Sequence, residues 1–287
     1  MTLRYIEMTH KSARWYFNIK TWNPSYNDIL LSTSCIQQEE KDRLIRFVFK
    51  DDFKSSLIGR LMMRKFIHSV SHYPYNEIHF FRDDRGKPKL AKPRELIDVS
   101  FNVSHQGDYV VFAGETNTNV LGVDVMKLSY DGGKSVGEFF RLMMKHFSPM
   151  EWLTIKSRMS ESQQVDMFCR HWSLKESYVK AIGVGITVNL QDIDFRINTK
   201  DLRKLAIVAD TELYVENEKQ PWIFEEMLLD DKHCVSVALE KRFVESNLER
   251  KNVFEVMTFQ ELVDGAIPLL GADNDYVQKY FGKMDKV

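Results

Sequence analysis

Two separated stretches hold the residues best suited to chemistry. In FCRHWSLKESYVKAIGVG, residues 168–185, Trp172, Glu176 and Lys180 recur every four positions. Read as a helix, this spacing sets a carboxylate and an ammonium on one face just before a glycine stop. Earlier in the chain, LGVDVM places Asp124 between valines in a strand-like run. Burying an unpaired carboxylate costs several kcal/mol, so Asp124 needs a cation or donors. An acid on a buried strand plus a Glu/Lys helix face suits a hard cation bound to phosphate. If the two stretches meet, the protein handles a phosphate ester.

Each piece also has a plainer reading. A strand-end aspartate can simply cap a turn, and i,i+4 Glu–Lys pairs decorate solvated helices for about 0.2–0.5 kcal/mol. The basic turn from Arg82 to Arg94, with Arg85, Gly86, Lys87, Lys89 and Lys92, reads as a solvated hairpin edge or as an anion site. His105, in NVSHQGD, is expected at a hairpin tip, exposed or donating to a phosphate oxygen. His68 and His72 have i,i+4 spacing but lack HExxH, which argues against zinc. The chain has no GxxxxGK[ST] phosphate loop and no GxGxxG. P-loop NTPases and the usual dinucleotide oxidoreductases are thereby excluded.

The elements that would position these residues follow from periodicity. Residues 37–68 read as helical, as one helix or as two broken at Asp51–Asp52. Strands are expected at 78–81, 99–103, 109–113 and 120–125, with Ser104 to Asp108 as the turn of the middle pair. Helices are expected at 136–147, 149–159 and about 165–182, the last stopped by Gly183. Further strands are expected near Phe195 and at 211–215, 222–228 and 234–239. A helix followed by a hairpin occurs twice: SSLIGRLMMRKFI before FNVSHQGDYVVFAG, and HWSLKESYVKAIG before WIFEEMLLDDKHCVSVAL. The chain is therefore read as α+β, with two similar lobes, 1–116 and 117–240. An extension, 241–287, follows, in which Thr258 and Glu261 have capping-box spacing.

With 287 residues, 44% apolar and 28% charged, the chain is globular and can bury one large or two ordinary cores. A net charge of -1 offers no bulk attraction for nucleic acid. Cys35, Cys169 and Cys234 lack metal spacing and read as free thiols of a reducing compartment. The start, MTLRYIEMTH, has no secretory apolar core, and no apolar run would span a bilayer. A cytoplasmic monomer is expected.

Together, GVD (Gly122 to Asp124) and WSLKESYVKA (Trp172 to Ala181) resemble the signature of the two-lobed 4'-phosphopantetheinyl transferases. RGKPKL and NVSHQGDY resemble that family's substrate-binding segments, in the same order. The resemblance runs from about Gln37 to Leu239 and implies lobes related by a pseudo-twofold. Each would be an antiparallel sheet with packed helices, with the active site in the cleft. It implies transfer of phosphopantetheine from coenzyme A, the co-substrate, to a carrier-protein serine with Mg²⁺, releasing 3',5'-ADP. Asp124 and Glu176 would be metal ligands, and Lys180 would contact the pyrophosphate. Arg43, Arg82, Arg85, Gly86 and Lys87 would hold the adenosine end, while Asn102, Val103, Ser104 and His105 line the coenzyme A path. Either Glu176 or a metal-held water would accept the serine proton. Many relatives carry another acid where Met126 stands, and a thioether is a poor ligand for a hard cation, so a water is expected there. The implied partners are apo carrier domains, of fatty-acid synthase or aminoadipate-semialdehyde dehydrogenase type. By composition alone, Met62, Met63, Arg64 and Lys65 are candidates to meet them, with buried core the favoured role for the two methionines. A catalytically silent coenzyme A or carrier-binding module is the competing class.

Overall fold

The computed structural model describes residues 11–94, 98–183, 188–247 and 253–285. The start of the chain read above for a leader, and Gly185, lie outside the described residues. The architecture is α+β with several antiparallel sheets and packed helices.

In the first half, β1 (Ser12–Asn18) and α1 (Tyr26–Ser34) precede α2 (Gln38–Leu44) and α3 (Lys50–Ser71). The expected helix over 37–68 is therefore two, but the break falls at 45–49. Asp51 and Asp52 sit in the first turn of α3, where the helix dipole favours acids. The hairpin β2 (His79–Arg82) and β3 (Pro88–Lys92) carries the basic turn. β4 (Val99–Gln106) and β5 (Tyr109–Thr116) then form a longer hairpin closed by Gly107–Asp108, with Gly107 at φ 61°. Ser104 and His105, expected in the turn, instead belong to β4, because the glycine allows a two-residue turn later in the chain. Neither β1 nor α1 was expected.

In the second half, β6 (Leu121–Lys127) leads through α4 (Val136–Leu142) and α5 (Pro149–Lys156) to α6 (Glu161–Ile182). α6 starts earlier than expected because Ser160 caps it, and Gly183 at φ 68° ends it. Strands β7 (Ile193–Arg196), β8 (Glu212–Val215), β9 (Glu218–Lys219), β10 (Trp222–Asp230) and β11 (His233–Glu240) follow. The extension adds α7 (Lys241–Ser246), β12 (Glu255–Val256), α8 (Phe259–Val263) and α9 (Asn274–Phe281). Thr258 and Glu261 form the expected capping box of α8.

The two long helices, each of 22 residues, play matching parts. α3 packs on β4 and β5 of the sheet ordered β12-β1-β5-β4, and α6 packs on β6 and β11 of the sheet ordered β10-β11-β6. The sheets meet where edge strand β4 runs beside edge strand β6. There the Asn102 side chain accepts from the Val123 N–H at 3.0 Å, and the Gln106 side chain accepts from the Lys127 N–H. A buried triad joins the halves again: Arg14 of β1 donates to Glu115 of β5 at 2.6 Å and to Glu225 of β10 at 3.1 Å.

Gly122 is required by closeness rather than by its backbone angles. A Cβ there would lie 2.0 Å from the Ser177 carbonyl and 2.5 Å from the Ala181 nitrogen, both backbone atoms of α6. Gly122→Ala should lower stability by about 3 kcal/mol, at the upper end of overpacking costs, read as a drop in urea midpoint. His171 of α6 is fully buried, and burial pushes it down to about 4 although its ring contacts the Met167 carbonyl at 2.9 Å. The unfolded chain takes up this proton near 6.5, so stability should fall as pH drops from about 6.5 to about 4. The fall is on the order of 3 kcal/mol, and urea titrations across that interval should show a shallower slope for His171→Gln.

Candidate functional site

β6 and α6 carry the charged centre. In β6, Gly122 lets α6 approach, and two residues later Asp124 points toward the helix and β4. Its Oδ1 accepts from Ser104 Oγ at 2.8 Å and pairs with Lys180 Nζ at 2.5 Å, and Lys180 also donates to Ser104 at 3.0 Å. The other carboxylate oxygen, Oδ2, is buried and has no hydrogen-bond partner. Ser173 of α6 donates to the Asp124 backbone carbonyl at 3.2 Å, which fixes the strand against the helix.

Glu176 lies one turn before Lys180 on α6. Burial pushes its carboxyl above the ordinary range; Lys180 pulls it down, and the like charge of Asp124 adds to the rise. Two carboxylates sharing one half-buried space, one with an oxygen lacking any donor, make a donor set that fits a small hard cation. Among the described residues no group of three His, Cys, Asp or Glu side chains is placed to hold a metal. Met126 instead packs against the aromatic cluster of Phe140, Phe147, Trp152 and Phe168.

The anion-binding candidates divide into separate groups. Arg43, Arg82, Val103 and His105 line one cavity of about 390 Å³ together with Arg46 and Arg60. Glu40 of α2 orders part of its charge by accepting from Arg60 and from Arg82, the latter at 3.0 Å. Burial works to raise the Glu40 carboxyl, but Arg60 and Arg82 outweigh it and hold it low.

Arg85 and Lys87 line a second cavity, of about 550 Å³, beside Gly183 and Trp222. Arg85 donates to the Gly183 carbonyl, and Lys87 Nζ donates to the Lys180 carbonyl at 2.7 Å. Both basic groups thus cap the C-terminal end of α6, where the dipole favours cations. Burial, with Lys89 nearby, pushes Lys87 down to about 8. Gly86, at φ 80°, forms the turn between them. Asn102 is spent on the strand seam and lines neither cavity.

Comparison with known proteins decides the family. The description "4'-phosphopantetheinyl transferase, N-terminal" matches residues 20–117, and "4'-phosphopantetheinyl transferase superfamily" matches residues 120–238. The chain is 39% identical over 282 residues to L-aminoadipate-semialdehyde dehydrogenase-phosphopantetheinyl transferase of Xenopus laevis, covering 96% of this chain and 93% of that one. It is 39% identical over 278 residues to the Homo sapiens protein of the same name, covering 93% and 90%. The chain belongs to the 4'-phosphopantetheinyl transferase superfamily. It is also 27% identical over 165 residues to 4'-phosphopantetheinyl transferase Sfp of Bacillus subtilis, covering 58% and 68%.

This phosphopantetheinyl transferase follows the sequence expectation in some places and departs from it in others. Arg64, named as a candidate to meet a carrier, is buried and donates to the Tyr75 carbonyl at 3.0 Å and to the Ile78 carbonyl, while Met62 and Met63 take the buried core role favoured for the methionines. Their apolar and basic character serves the core of the first half. Lys65 pairs with Asp264 at 3.4 Å. His68 bonds the Tyr73 carbonyl at 2.8 Å through Nδ1, and His72 ends α3 in the left-handed conformation. The three cysteines are free and buried, and no helix among the described residues is long and apolar enough to cross a membrane. Arg46, Arg60 and Glu40 were missed. The one available signal for Arg60 was its place beside a helix-interior glycine, Gly59, where α3 closes on Val103 of β4.

Because burial and Asp124 both disfavour ionised Glu176, Glu176→Gln should raise the melting temperature by about a degree or two. The same variant should lower transferase turnover by about 10²–10³, a divergence that calorimetry and rate assays on one sample would read together.

Proposed function

We propose that the transferase moves the 4'-phosphopantetheine group from coenzyme A to a serine of an apo carrier protein, releasing 3',5'-ADP. The observation that carries this reading is Lys180 meeting Asp124 at 2.5 Å beside Glu176, with the Asp124 Oδ2 oxygen still open. We further propose lobes spanning 1–116 and 117–240 about this centre, with 241–287 as an extension.

Asp124 and Glu176 would hold Mg²⁺, which when bound supplies charge neutralisation at a pyrophosphate and a more acidic bound water. Lys180, already aimed at the same carboxylate, would contact the pyrophosphate and offset charge gathering on the leaving phosphate. The arginines around the cavity of about 390 Å³ would hold the adenosine end and its 3'-phosphate. His105 would reach a bridging phosphate.

The serine oxygen forms a bond to the β-phosphorus while the bond from that phosphorus to the bridging oxygen breaks. The electron pair leaves on 3',5'-ADP. The serine proton passes to Glu176 or to a water held at the same carboxylates. Catalysis on this reading is positioning plus charge neutralisation. The first relatives are named for aminoadipate-semialdehyde dehydrogenase. A carrier domain of that type, or of fatty-acid synthase, is the proposed partner of a cytoplasmic monomer.

Purified protein, apo carrier and coenzyme A should give a carrier heavier by one phosphopantetheine group on mass spectrometry. EDTA should stop the transfer and Mg²⁺ restore it. Asp124→Ala should slow transfer by about 10³ or more. Modification by Asp124→Ala at the wild-type rate would overturn the assignment, and coenzyme A binding without transfer to any carrier would favour a silent binding module.

A further inference from the structure

The extension crosses back from β11 to the first half of the chain. β12 pairs in parallel with β1, α8 packs on α3, and α9 packs on α1. Tyr276, Val277 and Tyr280 of α9 are buried in the core that holds Phe53 and Leu57.

The far end of this extension grips α2 and the turn after it. The Tyr276 hydroxyl donates to the Lys41 carbonyl at 2.8 Å, and Lys41 Nζ pairs with Asp273 at 3.0 Å. Lys283 Nζ donates to the Ile45 carbonyl at 2.8 Å and to the Phe47 carbonyl. The Met284 backbone completes the hold, accepting from the Lys50 N–H at 2.9 Å and donating to the Val48 carbonyl at 3.2 Å. Residues 41 to 50 are therefore fastened along their length by residues 273 to 284.

Between these fastenings stand Arg43, Arg46 and Phe47, which form one wall of the arginine cavity. That wall needs support from outside. α2 has only seven residues, too few to persist on local forces, and its last carbonyls depend on N–H groups of Ile45, Arg46 and Phe47 in the turn that follows. The cavity also concentrates like charge, since Arg60 feels Arg82 and Arg43 alongside the opposing pull of Glu40. Lys283 supplies donors to the Ile45 and Phe47 carbonyls of that turn, from a point far along the chain.

We propose that α9 and Lys283 are a positioning element for coenzyme A: they set the Arg43–Phe47 wall at the distance the phosphate-bearing end requires. This rests on the coenzyme A reading of that cavity. Lys283 acts through the wall and touches no reacting atom.

The test uses the full chain with Lys283→Met, Lys283→Arg and, as an independent variant, Tyr276→Phe. Calorimetry measures coenzyme A binding, and initial rates are taken with coenzyme A and apo carrier varied separately. Lys283→Met should raise the Kd and KM for coenzyme A about tenfold, a typical consequence of a displaced binding group. The kcat and the carrier KM should stay within about twofold of wild type. Lys283→Arg should restore most of the affinity, and Tyr276→Phe should shift the same constant by less.

Wild-type coenzyme A affinity in Lys283→Met overturns the inference. So does a joint fall in kcat and thermal midpoint with both KM values raised, the pattern of general loosening. If wild-type protein binds coenzyme A in a Lys283-dependent way but transfers nothing, the transferase mechanism fails while the positioning role stands. Absence of coenzyme A binding by wild type overturns both.

Discussion

The meeting of two sheet edges governs this molecule. An edge strand presents unpaired N–H and C=O groups that invite pairing with another strand. Here β4 and β6, each the edge of its own sheet, face one another without a backbone ladder between them. Side chains from alternate positions of β4 do the joining. Asn102 and Gln106 take backbone N–H groups of β6, and Ser104, midway between, takes the Asp124 side chain. Because side chains alternate with period two, a slip of one residue would turn all three away. The position of the acid is therefore set by the same contacts that hold the two halves together.

Charge buried around this seam adds specificity more than raw stability. Arg14, Glu115 and Glu225 join β1 and β5 to β10 in full burial. Desolvation of such groups can equal or exceed their attraction, but leaving any one of them unpaired is strongly unfavourable, so alternative arrangements of the halves are disfavoured. Lys175 and Glu151 form a second such pair, at 2.8 Å, and burial pushes Glu151 up to about 7 despite its partner.

Lys175 and Lys180 make the contrast between structure and chemistry visible. Both belong to the same helix and the same sequence motif. Lys175 is 1% exposed, and besides Glu151 it donates to the carbonyls of Leu190 and Ile193. Its three donors are spent on fixing α6 in the core. The Lys180 side chain is 27% exposed and turns toward Asp124. One ammonium is saturated by the fold, while the other keeps access to solvent and to a ligand.

The elements written in local terms were legible in the sequence. The strand around Asp124, the long helix carrying Glu176 and Lys180, its glycine stop and the Thr258–Glu261 box depend on neighbours within a few residues, and periodicity and capping chemistry report those directly. β1 was not legible, because KSARWYFN has weak alternation and its partners lie about a hundred residues away in β5 or in the extension. The arginine cavity was legible only in part, since Arg43, Arg60 and Arg82 come from three elements whose mutual placement no local pattern encodes. The sequence determined which segments curl, extend or turn, because backbone preference and side-chain period act over short range. Which lysine faces the acid, which carboxylate oxygen is left without a donor and what holds the basic wall were set by the folded arrangement, because those outcomes depend on packing between segments that the chain must first bring together.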